Sequence, residues 1–223
     1  MNLSLYGIIV LIAYLGISSA VARRAAETGK CGPQKSALTP LLIAFFLLGN
    51  GSAGLLPGHG GKIFIILALA CGCAGDTLLE ISEEGKPLVF GLGSFLIGHV
   101  FYILAAASGI RPEKLTPLFL IGAVPYVLLF IWVVQTVLPS VPREMKGPVL
   151  LYMTVIILMS CSMLLRTGSV SLSSALICLV GSAFFILSDI VLALHVFKGR
   201  LFQGVMETYT AAQLLLTCGF LFA

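Results

Sequence analysis

The sequence predicts an all-α, polytopic membrane protein: one domain over residues 1–223, folded as an eight-transmembrane-helix bundle. Three observations lead there. Of the 223 residues, 59% are hydrophobic and 10% charged, and the mean hydropathy is +1.10, far outside the range of a soluble domain. The apolar residues fall in runs near 3–22, 36–56, 62–82, 86–108, 116–138, 147–166, 172–196 and 204–222. Each run approaches the ~20 residues that cross a hydrocarbon core. Between them stand helix-breaking pairs such as Gly32-Pro33, Pro57-Gly58 and Arg111-Pro112.

Taken in order, the first run lacks a basic leader and is followed by Arg23-Arg24, so it reads as a first transmembrane helix rather than a signal peptide. Gly32-Pro33 separates it from the second run, and Pro57-Gly58 ends the second. The third carries Cys71-Gly-Cys73, whose thiols point to different helix faces. These and the other cysteines read as small buried thiols. Glu80, Glu83 and Glu84 mark a solvated end before Gly85-Lys86-Pro87 opens the fourth run. Arg111-Pro112, Pro139 to Pro142, Gly168 and Gly199 punctuate the remaining four. Short loops make sequential helices antiparallel neighbours.

The net charge of +4 is small, and the basic residues sit between apolar runs. Their placement speaks to topology and gives no case for nucleic-acid binding. Nine Lys and Arg residues lie on the odd-numbered loops, including Arg23, Arg24, Lys86 and Arg143, against four on the even-numbered ones: Lys62, Arg111, Lys114 and Arg166. The positive-inside rule therefore puts the odd loops on the cytoplasmic side.

Chemistry is expected where polar side chains interrupt these runs. A charged residue near the bilayer interior costs about 2.5 kcal/mol or more, so it faces a polar cavity and marks function. Asp189 stands in Gly181-Ser-Ala-Phe-Phe-Ile-Leu-Ser-Asp189-Ile-Val-Leu-Ala-Leu-His195, and Asp76 and His99 interrupt helices three and four. Gly72, Asp76 and Glu80 share one helix face, the glycine allowing a partner helix to approach. Helix six adds Tyr152, and helix eight adds Tyr209 and Gln213 at i, i+4. At 1.5 Å per residue, Asp76, Asp189, Tyr152 and Tyr209 lie roughly 8–11 Å in from the odd-loop ends, with Gln213 and His99 deeper at roughly 14–20 Å. That shared level predicts one polar pocket opening toward the cytoplasmic leaflet. Two carboxyls in such a pocket repel, so one stays protonated while the other ionises, giving an acid and a base. Three histidines with no paired metal-ligand motif disfavour a metal site, no cofactor motif is present, and no Gly-x-Ser-x-Gly elbow supports a serine nucleophile.

These residues resemble the YhhN-like lysoplasmalogenases, membrane enzymes that hydrolyse the vinyl ether bond of lysoplasmalogens. The matching pieces are Cys73-Ala-Gly75-Asp76-Thr-Leu78, Gly93-Ser-Phe95-Leu-Ile-Gly98-His99-Val-Phe-Tyr102, Pro148-Val-Leu-Leu-Tyr152, Ser188-Asp189-Ile-Val-Leu192-Ala193 and Tyr209-Thr-Ala-Ala212-Gln213. Two positions depart from the family pattern: Thr39-Pro40 replaces Lys-Pro, with Lys35 one turn away, and Thr208-Tyr209 replaces paired tyrosines. The resemblance implies a single-chain lysophospholipid substrate drawn from the membrane, in a bacterial inner membrane or endoplasmic reticulum. It also implies a catalytic pair Asp76 and Asp189, oriented by His99, Tyr152, Tyr209, Gln213, Ser188 and Lys35. A proton-coupled carrier also places carboxylates at mid-depth, and a different lipid hydrolase or a structural protein are the remaining classes. A carrier calls for inverted repeats, and a zinc amidase for more than three histidines.

Overall fold

A computed structural model describes residues 4–50, 61–82, 85–115, 117–200 and 204–223. Among these the chain forms eight α-helices: α1 Leu5–Thr28, α2 Leu38–Asn50, α3 Gly61–Ile81, α4 Gly85–Ala107, α5 Leu118–Val137, α6 Lys146–Leu165, α7 Leu172–Lys198 and α8 Val205–Leu221. Among the described residues, six stretches are long and apolar enough to cross a membrane: Leu5–Thr28, Gly61–Ile81, Gly85–Ala107, Phe119–Ser140, Arg143–Gly168 and Leu172–Lys198. The molecule is thus a helical, multi-pass membrane protein. α2 and α8, with 13 and 17 residues, fall short of that length among the described residues.

Burial explains why α8 is also less apolar. It packs against α7 along most of its length and touches α1, α2 and α3 as well. It is the inner helix of the bundle. Its polar Thr210, Gln213 and Thr217 are buried and hydrogen-bonded within the protein. α5 is the opposite case, leaving Leu120, Ile121 and Leu128 at least 60% exposed as a lipid-facing surface would.

Small residues bring the helices close. A Cβ on Gly219 would stand 2.4 Å from Cys178 Sγ and 3.0 Å from the Cys178 nitrogen, so α7 and α8 meet there almost backbone to backbone. On α3, Gly72 makes room for a side chain of α8: a Cβ there would lie 3.1 Å from Gln213 Nε2. Between α1 and α2 the chain turns through Gly32, at φ +80°, into the 3-10 turn Pro33–Ala37. Cys31 and Cys178 are buried, and the other four cysteines are half-buried. Glu80 is exposed as expected, whereas Glu83 and Glu84 lie outside the described residues.

Candidate active site

The polar residues assemble into two networks. In the first, Asp76 is completely buried on α3. Its Oδ2 accepts a hydrogen bond from the Tyr209 hydroxyl at 2.7 Å, and Lys35 Nζ lies 3.2 Å from Oδ1. Tyr209 in turn accepts from Gln213 Nε2 at 3.3 Å, and Gln213 Oε1 accepts from the Tyr102 hydroxyl at 2.7 Å. Every donor in this chain points toward the carboxylate, so each bond polarises the next in support of its charge. Lys35 comes from the 3-10 turn, a buried lysine whose ammonium also lies 5.9 Å from the centre of the Tyr209 ring. Burial works against the Lys35 charge and the Asp76 carboxylate works for it, with smaller help from Cys31 and Glu80; the balance leaves its pKa above the ordinary lysine value. Asp76 and Lys35 are therefore matched partners, 3.2 Å apart inside the protein.

The second network is built on α4, α6 and α7. Asp189 Oδ2 accepts from the Tyr152 hydroxyl at 2.7 Å, His99 Nε2 lies 3.1 Å from the Tyr152 oxygen, and the same nitrogen is 3.6 Å from Asp189 Oδ2. Because Tyr152 gives its proton to Asp189, the proton shared with His99 sits on Nε2. Among the described residues, His99 Nδ1 is buried without a hydrogen-bond partner. The Asp189 side chain is 16% exposed, and Asp76 is not exposed at all. That difference has a cause. Asp189 and Tyr152 lie in the wall of a narrow groove of about 70 Å3 between α4, α5, α6 and α7, otherwise lined by apolar residues such as Leu92, Phe130, Val149, Ile156, Ile186 and Phe197.

The two networks touch through rings rather than charges. Phe185 packs edgewise on His99 at 4.7 Å and on Tyr209 at 5.7 Å, and Phe95 packs edgewise on Tyr209 at 5.9 Å. Neither a hydrogen bond nor an ion pair joins Asp76 to Asp189, and Asp76 does not line the groove. The single pocket expected from shared depth is thus divided. Depth along a helix axis fixes a level in the membrane but not the direction a side chain faces.

Ser188, expected to orient the site, turns elsewhere: its hydroxyl donates to the Val205 carbonyl at 3.2 Å, at the start of α8. One residue from Asp189 means about 100° around the helix. Lys35, one turn from the position of the family's lysine and expected to orient the site, pairs with Asp76. Phe185 escaped notice because a phenylalanine in an apolar helix looks like packing. Its place four residues before Asp189, on the same helix face, was the available signal. No group of three or more His, Cys, Asp or Glu side chains that would hold a metal occurs among the described residues.

A family model described as the YhhN family matches residues 33–220. The chain belongs to the YhhN family. Among curated proteins it is similar to the lysoplasmalogenases of Mycobacterium bovis and Mycobacterium tuberculosis, each 27% identical over 173 residues. These alignments take in 71% of this chain but only 60% of the relatives' length, so the chain spans less than two thirds of the curated proteins it matches. No solved structure matches. The matched stretch contains Lys35, Asp76, His99, Tyr152, Asp189, Tyr209 and Gln213.

Proposed function

We propose that this YhhN-family protein is a lysoplasmalogenase: it hydrolyses the vinyl ether bond of a lysoplasmalogen at Asp189, releasing a fatty aldehyde and the glycerophospho-alcohol. The observation that carries the reading is a single carboxyl, hydrogen-bonded by Tyr152 with His99 behind it, in the wall of an apolar groove between helices. A single-chain ether lipid has the shape for it, with its alkenyl chain between α4, α5, α6 and α7 and its head at the groove's outer end. Lys86 and Lys146 stand in the first turns of α4 and α6, near Leu88 and Val149 of the groove lining, where they would meet the phosphate. Those ends lie on the odd-loop side, the cytoplasmic side by charge distribution. With α2 and α8 counted as spans, the bundle has eight.

The chemistry needs a proton donor and a group that tolerates a cation. The protonated Asp189 carboxyl gives its proton to the outer alkene carbon, and the electrons of the double bond form the new C–H bond. The carbon attached to oxygen becomes an oxocarbenium ion beside the carboxylate just formed. Water adds to that carbon while Asp189 takes back a proton, and the hemiacetal collapses to aldehyde and alcohol. Tyr152 and His99 hold the carboxyl and accommodate its change of charge. Asp76 is the partner of Lys35, and through Tyr209 and the Phe185 ring it positions the wall behind His99.

Purified protein in detergent with lysoplasmenyl-ethanolamine tests this reading. Stoichiometric aldehyde and glycerophosphoethanolamine are expected, with the ester-linked lysophospholipid left intact. A folded sample that releases no aldehyde would remove the reading and bring the carrier class forward.

A further inference from the structure

The opposite end of the bundle holds a second concavity, of about 500 Å3, between the start of α3, the ends of α4, α6 and α8, and the turn before α7. Lys62, Arg111 and Arg166 line it, with the hydroxyls of Ser108 and Ser169. The groove at Asp189 runs toward Val196 and Phe197, at the far end of α7. The two sites are therefore separate.

Arg166 is the unexplained feature. It is only 3% exposed, yet no ion pair joins it to a carboxylate among the described residues. Among the described residues its Nε has no hydrogen-bond partner, and its Nη1 reaches only Ser174 Oγ at 3.5 Å and Cys178 Sγ at 3.4 Å. The Phe220 ring lies 4.3 Å from the guanidinium carbon and shields one face. A buried guanidinium with five donors and such weak acceptors is costly unless a negative charge compensates it. Gly109 packs directly against the guanidinium, since a Cβ there would stand 3.0 Å from Arg166 Nε, and the space for a counter-charge is the cavity itself.

The charged side chains lining the cavity have the same sign. Lys62 Nζ is hydrogen-bonded to the Asn50 amide oxygen, a neutral partner, and among the described residues no acidic side chain lines the cavity. Helix ends of both polarities meet here, the starts of α3 and α7 against the ends of α4, α6 and α8, so their partial charges largely offset. Three full cations remain. We infer that this cavity binds a phosphate-class anion, either free phosphate or the phosphate of an anionic lipid head group, with Arg166 beneath it and Lys62 and Arg111 at its rim. Planar guanidinium groups suit phosphate oxygens, and the ammonium adds a point charge.

The test measures binding rather than catalysis. Thermal unfolding of the detergent-purified protein in sodium phosphate is compared with sodium chloride at matched ionic strength. In parallel, native mass spectrometry follows retention from micelles holding equal amounts of phosphatidylglycerol and phosphatidylcholine. Stabilisation by phosphate identifies the free anion; preferential retention of phosphatidylglycerol identifies the lipid. Either supports the inference, provided Arg166→Gln abolishes the effect and Arg111→Gln and Lys62→Gln each weaken binding roughly tenfold or more. Should Arg166→Gln fail to fold, the two rim variants carry the comparison. Aldehyde release by the rim variants should match the parent, since neither residue touches the groove. The inference is overturned if phosphate and chloride act alike and neither lipid is preferred, or if both rim variants bind as the parent does.

Discussion

Asp189→Asn separates chemistry from folding most cleanly. The asparagine keeps the side-chain shape and can still accept the Tyr152 hydroxyl bond, now 2.7 Å to Oδ2, but it can neither give up a proton nor hold the charge left behind. General acid–base catalysis contributes roughly 10²–10⁴-fold, so the loss is about 3–5 kcal/mol of barrier at about 1.36 kcal/mol per decade. Folding should be unaffected, because among the described residues Asp189 carries no ion pair with Lys or Arg. Asp76→Asn is the contrasting case. It leaves the buried Lys35 ammonium without its carboxylate, and breaking a buried pair from one side costs about 3–5 kcal/mol of stability. Removing both charges in Lys35→Met with Asp76→Asn should restore most of that stability. The assay is aldehyde release alongside thermal unfolding in the same detergent. The expected pattern is a folded, inactive Asp189→Asn and a folded double variant with at least a tenth of parental kcat/KM. Two results would refute the reasoning: an Asp189→Asn enzyme keeping more than a tenth of its activity, or a folded double variant as inactive as Asp189→Asn. The latter would restore the two-aspartate pair expected from sequence.

Three further outcomes follow from the same geometry. Tyr152→Phe removes the hydroxyl that lies between His99 and Asp189, so kcat should fall roughly 10- to 100-fold with KM little changed, the loss of a hydrogen bond to a charged group; steady-state kinetics on lysoplasmenyl-ethanolamine checks the split. Gly219→Ala places a methyl against Cys178 and should lower stability by about 1–3 kcal/mol, seen as a lower unfolding midpoint. The pH dependence has a definite sign: with its folded pKa above the ordinary lysine value, Lys35 contributes stability that is complete below pH ~10.4 and lost only as pH rises through the higher folded value. Unfolding midpoints of the parent should therefore fall more steeply above pH ~10.4 than those of the Lys35→Met, Asp76→Asn double variant, and parallel curves would contradict the pairing.

Composition and the spacing of apolar runs determined the membrane class and the approximate limits of the helices, because the thickness of a bilayer sets a length that can be counted along a sequence. They also singled out Asp76, His99, Tyr152, Asp189, Tyr209 and Gln213, because a polar side chain in such a run stands out whatever it faces. The sequence did not distinguish the roles of the two aspartates. Both read as intramembrane carboxyls at one depth, yet one is sealed against Lys35 and the other borders an apolar groove. That division depends on the rotation of each helix about its axis and on which helices are neighbours, and hydropathy specifies neither. Packing does so through close approaches such as Gly72 on Gln213 and Gly219 on Cys178. It also places α8 inside the bundle, where its polar residues pair with protein instead of lipid, and carries Lys35 from a loop, through the left-handed Gly32, into the bundle beside Asp76. Only tertiary structure decides these matters, because a buried charge is settled by whatever partner the fold brings within about 4 Å.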